Sequence, residues 1–154
     1  MVFVCIHSYS AQAYRDNGRI AIDSMELARA LWVNAGIRDI MNSDKVESKE
    51  ALGLNSNIRF YRYGKGQRFG RHVDESVEAF PNGVTKYTLL IYLSDVIGGE
   101  TVFYNHRGRQ VVAVCPKPGR VLLHRHGHEC LEHEALPVVE GTKYVLRSDV
   151  IFPS

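Results

Sequence analysis

Cysteine is scarce in this chain: three in 154 residues, at Cys5, Cys115 and Cys130. The number is odd and no short paired spacing links them, which excludes a disulfide-stapled secreted scaffold. Reduced thiols and an intracellular, cytoplasmic setting are the expectation. A long apolar run is missing too. The opening Met1-Val2-Phe3-Val4-Cys5-Ile6 stops at His7 and lacks a basic leader, so it fits neither a signal peptide nor a membrane span and reads as a strand. Excess charge is absent as well, since 19 Lys+Arg against 17 Asp+Glu leaves +2. That balance indicates neither a nucleic-acid groove nor a membrane anchor. Repeats of about 20–50 residues and Pro/Ser-rich linkers are also absent, which removes solenoids and strings of domains.

What is present is an ordinary globular composition, 45% apolar and 23% charged, at the size of one core. The expected organisation is a single domain over 1–154, with N-terminal helical support over about 1–56 and a barrel over about 57–152. From Asp23 to Met41 the apolar residues Met25, Leu27, Ala28, Leu31, Trp32, Ala35, Ile37 and Ile40 recur every three or four positions behind an Asp23 or Ser24 cap. That spacing predicts a helix broken near Gly36. Beyond Asn57 the pattern becomes short apolar or alternating runs: Ile58 to Tyr63, Tyr87 to Leu93, Glu100 to Tyr104, Gln110 to Cys115, Val121 to His124 and Lys143 to Phe152. Turn signals such as Gly64-Lys65-Gly66, Pro81-Asn82-Gly83 and Gly98-Gly99 separate them. This favours an antiparallel sandwich or jelly roll with a helical layer on one face.

The segment most informative about chemistry is Arg71-His72-Val73-Asp74. If it is extended, the period of two puts His72 and Asp74 on one face, where imidazole and carboxylate can converge on a metal. A third donor has to come from elsewhere, and His124, His126, His128 and His133 all qualify by residue type. Two imidazoles and one carboxylate with open positions form the facial triad of non-haem Fe(II) oxygenases. Structural zinc on Cys115, Cys130 and these histidines is weakly supported, because the short paired spacings of closed zinc sites are missing.

A longer pattern gives these residues a context. Tyr63-x-x-Gly66-x-x-Phe69-x-x-His72-x-Asp74, Tyr87 to Asp95, Gly98-Gly99-Glu100-Thr101-Val102-Phe103, Pro116-x-x-Gly119, and His133 followed ten residues later by Lys143 run in order along the chain. The pattern resembles the prolyl-4-hydroxylase-like branch of the 2-oxoglutarate and Fe(II)-dependent dioxygenases. The resemblance implies a double-stranded β-helix, a form of jelly roll, with iron on His72, Asp74 and His133. Of the four C-terminal histidines it selects His133, which stands at the family spacing from Lys143. It also implies Fe(II) as cofactor, 2-oxoglutarate and dioxygen as cosubstrates, ascorbate as an auxiliary reductant, and hydroxylation of a C–H bond with a peptidyl proline as leading substrate. A peptide or small molecule is the expected partner.

The distal carboxylate of 2-oxoglutarate needs a cation, and on an extended segment Lys143, Val145 and Arg147 share a face. Lys143 stands at the family position and Arg147 is the alternative. Tyr63 is a further candidate contact to the cosubstrate, Tyr87 and Thr101 are candidate pocket residues, and Asn17 and Arg19 are candidate substrate contacts. His124 is expected to pack near the metal, whereas His126 and His128 fall in a Gly-containing loop and are expected at the surface. The segment Ala79 to Gly83 has the composition of a lid. The chain begins directly with Met1-Val2-Phe3, leaving little of the N-terminal helical region of many relatives, so a minimal catalytic core or a fragment is expected. The rival is a non-catalytic jelly-roll module binding a metal or ligand without turnover, which decarboxylation of 2-oxoglutarate on addition of Fe(II) would separate from an enzyme.

Overall fold

The computed structural model describes residues 13–42, 49–79 and 82–154; the strand expected at Met1 to Ile6 lies outside them. The first described strand, β1 (Gly18–Asp23), leads into helices α1 (Met25–Asn34) and α2 (Ile37–Met41). Strands β2 (Gly53–Leu54), β3 (Asn57–Tyr63), β4 (Phe69–His72), β5 (Glu78–Ala79) and β6 (Gly83–Tyr92) follow. The remainder is β7 (Ile97–Gly98), β8 (Thr101–Tyr104), β9 (Gln110–Val114), β10 (Val121–Arg125), a 3-10 turn at Gly127–Glu129, β11 (Glu132–Ala135), β12 (Val138–Glu140) and β13 (Lys143–Pro153).

The helix forms where its periodicity predicts. Ser24 caps it, its Oγ accepting the Leu27 N–H at 3.1 Å, and Gly36 breaks it at φ 72°, a left-handed conformation that favours glycine. The N-terminal part is not purely helical, however, because β1 pairs antiparallel with β3 and β2 pairs with β13. Among the described residues no helix is long and apolar enough to cross a membrane.

The large sheet runs β1-β3-β13-β6-β10, with β2 and β5 attached, and a smaller sheet runs β4-β11-β8-β9. All their pairings are antiparallel, and the fold is the jelly roll expected. Strand β13 lies at the centre of the large sheet and is buried on both faces. Leu146, Val150 and Phe152 pack with Ala28, Trp32, Ile37 and Met41 in the helix-side core. Residues of the opposite parity, Lys143, Val145 and Arg147, line the space between the sheets.

Two strands that the hydrophobic pattern does not announce, β4 and β11, carry the candidate donors His72 and His133. The expected lid falls on the β5–β6 connection, where Phe80 and Pro81 lie outside the described residues.

Candidate metal centre

Strands β4 and β11 pair so that His72 stands directly opposite His133, with ring centroids 4.3 Å apart. Asp74 follows two residues after His72 and is buried. His72 Nε2 lies 3.9 Å from Asp74 Oδ1 and His133 Nε2 lies 3.8 Å from Asp74 Oδ2. The three residues offer donor atoms within 4.8 Å of one another.

Their proton positions follow from their partners. His72 Nδ1 is 2.8 Å from the Gly70 carbonyl and His133 Nδ1 is 2.9 Å from the Leu131 carbonyl. A carbonyl can only accept, so each Nδ1 carries the proton and each Nε2 turns a lone pair toward Asp74. Burial keeps the imidazoles neutral, pushing His72 down to about 4, with His133 lowered for the same reason. Burial alone would raise the Asp74 carboxyl, but the Arg147 guanidinium first and then the Thr88 hydroxyl outweigh it and hold it well below the usual carboxylate range. Two neutral imidazole lone pairs and one carboxylate, each imidazole anchored through its far nitrogen, are a donor set that fits Fe(II).

A hydrogen-bond chain supports the carboxylate from behind. The Thr88 hydroxyl donates to Asp74 Oδ2 at 2.6 Å. Since that uses its one proton, His126 Nε2, 2.8 Å away, must donate to Thr88. His126 Nδ1 then accepts from the Thr85 hydroxyl at 3.2 Å, and Thr85 Oγ1 in turn accepts the Val77 N–H at 3.0 Å. His126 is therefore not at the surface as expected. The extended pairing continues past β10, with the His126 N–H donating to the Lys86 carbonyl, so the alternation that turns His124 inward turns His126 inward also. His128, on the 3-10 turn, is exposed as expected.

His124 lines the same pocket, its ring centroid 4.4 Å from that of His133. A second group, His124, Cys130 and His133, also brings donor atoms together. There the Cys130 thiol already accepts the Asp74 N–H, and the His133 nitrogen nearest to it, Nδ1, carries the proton given to Leu131. The open lone pairs face Asp74 instead.

Between the sheets lies an inner cavity of about 40 Å³ reaching from these donors to Lys143. Lys143 is 2% exposed; its Nζ donates to the Gly99 carbonyl at 2.6 Å and lies 4.9 Å from the centre of the Tyr63 ring. No carboxylate pairs with it among the described residues, and burial pushes its ammonium down to about 8. Gly99 has φ 71°, and a Cβ there would come within 3.2 Å of the Lys143 side chain, so glycine both makes the turn and leaves room for the lysine. Tyr63 stands opposite Lys143 in the β3–β13 register, and burial raises its phenol strongly.

Arg147 is placed differently. Its Nη1 lies 3.2 Å from Asp74 and its Nη2 lies 3.2 Å from Asp149. Burial opposes its charge, but the two carboxylates outweigh that and raise it above the ordinary arginine range. Thr101 lines the inner cavity and hydrogen-bonds Tyr92 at 2.6 Å, whereas Tyr87 joins the helix-side core against Phe152.

Outside the donors a groove of about 600 Å³ is lined by Arg15, Asn17, Arg19, Phe69, Val73 and the outer side of His72. Arg15 sits 3.6 Å over the Phe69 ring, which stacks on His72 at 3.7 Å. Arg15 Nε and Asn17 Oδ1 are buried without hydrogen-bond partners. Thr88, His126 and Arg15 are the groups that sequence reasoning missed, although the alternation past Val121 was a signal for His126 and the parity of β6 one for Thr88.

Comparison with known proteins agrees with this chemistry. The model of the 2OG-Fe(II) oxygenase superfamily matches residues 58–148, which is more than half of the chain. In fold the chain is similar to the viral collagen prolyl hydroxylase of Paramecium Bursaria Chlorella virus-1 in its 2OG complex, at 21% identity and TM-score 0.64, covering 89% of this chain and 79% of that one. A Pseudomonas putida prolyl-4-hydroxylase matches at 19% identity and TM-score 0.64, with 91% and 70% covered. The Trichoplax adhaerens prolyl hydroxylase in complex with a hypoxia inducible factor oxygen degradation domain peptide fragment matches at 20% and TM-score 0.65, with 92% and 65% covered, so this chain spans just under two thirds of it. No curated protein matches in sequence. With the family model spanning both β4 and β11, the chain belongs to the 2OG-Fe(II) oxygenase superfamily and is an Fe(II) and 2-oxoglutarate-dependent dioxygenase.

Proposed function

We propose that this enzyme hydroxylates a prolyl residue within a peptide, holding Fe(II) on His72, Asp74 and His133 and the distal carboxylate of 2-oxoglutarate on Lys143. The observation that carries the assignment is the pairing of three lone-pair donors with an unpaired buried ammonium across one small cavity. A buried cation without a counter-ion is costly, and a dianion bridging the two features offsets that cost. Bound at this donor set, the ferrous ion would couple dioxygen to the decarboxylation of 2-oxoglutarate, one oxygen atom going to succinate and the other into the substrate C–H bond.

The chain's own residues do the rest. Asp74 is fixed in its ionised form by Thr88 and Arg147, and the carbonyls of Gly70 and Leu131 fix the two imidazoles as neutral donors. Arg147, already engaged by Asp74 and Asp149, positions the carboxylate and leaves cosubstrate capture to Lys143. Tyr63, across from Lys143, closes the cavity and offers its hydroxyl to the same end of the cosubstrate.

Two observations support a peptide substrate. The outer groove is far larger than the inner cavity and opens beside His72. Its buried edge also holds an unused donor, Arg15 Nε, and an unused acceptor, Asn17 Oδ1, the pair that a peptide C=O and N–H would satisfy. Arg19 flanks them. The Trichoplax neighbour is itself described with a bound peptide.

The test is coupled succinate release from a panel of proline-containing peptides, alanine-substituted controls, free proline and small acids, with Fe(II) and ascorbate present. Mass spectrometry then looks for a gain of one oxygen. Oxygen gain confined to prolyl peptides is the expected result, and turnover of a small molecule with no peptide modified would refute the peptide assignment.

A further inference from the structure

The outer groove carries charge of one sign that nothing in the chain balances. Arg15, Asn17 and Arg19 stand at alternate positions and line it together. Neither guanidinium has an ion pair or a hydrogen bond among the described residues. The nearby acids are already engaged. Asp16 accepts the Tyr14 hydroxyl at 3.0 Å and the Arg68 N–H at 2.8 Å. Asp74, the one carboxylate in the groove lining, is taken by Thr88 and Arg147.

Arg15 is the more demanding of the two cations. It is partly buried over the Phe69 ring. Burial pushes its guanidinium down, and Arg19 and Arg147 push the same way, with the phenols of Tyr61 and Tyr63 opposing. A peptide carbonyl on its Nε satisfies one nitrogen but is neutral, so the charge stays unbalanced. A cation drawn out of water beside other cations is costly until an anion joins it. The planar forks of two arginines suit a carboxylate, which can accept from both at once.

We propose that Arg15 and Arg19 select substrates that carry a carboxylate close to the hydroxylated residue, from an Asp or Glu side chain or from a chain terminus. The inference rests on the peptide reading above and narrows it to acidic peptides. The stack of Arg15 on Phe69 at 3.6 Å and of Phe69 on His72 at 3.7 Å limits how far that carboxylate lies from the donors. An extended peptide advances about 3.3 Å per residue, so the acid belongs within about three residues of the target.

The experiment uses the full chain with Fe(II) and 2-oxoglutarate and a set of prolyl peptides differing at one position two residues from the proline. That position holds Asp, Asn or Lys, or ends the peptide as a free acid or an amide. kcat/KM is read from succinate release in air, and binding of the dye-labelled peptides from fluorescence polarisation without oxygen. Asp should exceed Asn by about tenfold in both readouts, chiefly through KM, and Lys should be worst. A preference for Asp over Asn assigns the carboxylate to a side chain, and one for free acid over amide to a terminus. Arg15→Gln and Arg19→Gln should each shrink the difference, and Arg19→Glu, at an exposed position, should turn the preference toward Lys. Equal binding and turnover of charged and neutral peptides, with oxygen still gained on proline, would overturn this inference and leave the prolyl reading standing. So would an acid preference that Arg19→Gln and Arg19→Glu leave unchanged. No binding and no modification of any peptide would overturn both.

Discussion

The two ends of the inner pocket each contain a buried cation on β13, and they treat it in opposite ways. At the metal end Arg147 is held between Asp74 and Asp149, with Arg59 also reaching Asp149. At the far end Lys143 donates to one carbonyl among aromatic rings, and among the described residues no carboxylate forms an ion pair with it, Glu100 acting on it only from a distance. Four residues along one strand separate a cation whose charge is already balanced from one whose charge awaits a partner. The difference supports the proposed division, in which the paired ion positions its neighbours and the other receives an anion.

The sharpest way to break this contrast is at the metal end, where His72→Ala, Asp74→Ala and His133→Ala should each abolish succinate formation and strip Fe(II), as metal analysis after gel filtration would show. Next come the two cations. Lys143→Ala should weaken 2-oxoglutarate by about 3 kcal/mol, roughly 150-fold, with iron content unchanged. Arg147→Ala should instead destabilise the fold by about 3 kcal/mol, seen as a lower Tm, because it leaves buried Asp74 without its guanidinium while Asp149 keeps Arg59. A larger loss of 2-oxoglutarate affinity for Arg147→Ala than for Lys143→Ala would reverse the roles.

pH separates the ends further. Burial lowers Lys143 from 10.5 to about 8, so between those values the unfolded chain binds more protons than the folded one. Lys143's burial penalty is therefore complete below about 8 and relieved as pH rises toward 10.5, which contributes stability with rising pH. Affinity for 2-oxoglutarate should move the other way, falling as pH rises through 8 because the receptor loses its charge. Isothermal titration from pH 7 to 9.5 beside melts over the same range would show the two trends diverge. A smaller effect is expected at Thr88, where Thr88→Val should cost about tenfold in metal affinity and Thr88→Ser should restore most of it. His128→Ala should change nothing measurable at the metal.

Much of this was legible in the sequence. Alternation and turn signals placed the long strands, the three-and-four spacing placed α1, and the family pattern named His72, Asp74, His133, Lys143 and Tyr63, which the structure brings into one pocket. The strands that hold the site were harder to read. Glu132-His-Glu-Ala135 is largely polar and Phe69-Gly-Arg-His72 has one large apolar residue, because their inward positions face a donor cluster rather than an apolar core. Hydrophobic periodicity cannot report a residue buried for its lone pair. His126 was missed for a related reason: Gly127 and the histidines around it have loop composition, while the backbone pairing runs on to His126. The contrast between Lys143 and Arg147 depends on Asp149, which carries no local signal, and on the Gly99 carbonyl, whose contact with Lys143 the Gly98-Gly99 turn signal does not announce.

The pairing of β4 with β11 has a mechanical consequence. Strand β4 is four residues long and lies at the edge of the smaller sheet, laddered to β11 on one side and held on the other only by a bridge from Phe69 to Arg15 and the Gly70 N–H donating to the Tyr14 carbonyl. A metal shared by His72 and His133 would rivet this edge to its neighbour, adding a transverse link where local opening is otherwise easiest. At free metal a hundred times above the dissociation constant the rivet is worth about 2.7 kcal/mol. Amide hydrogens of Gly70 to His72 should then exchange with solvent about a hundredfold more slowly in the loaded protein, while those in the centre of β13 barely respond. Iron supply would set the lifetime of this edge in the cell, and scarcity would expose it first to proteases.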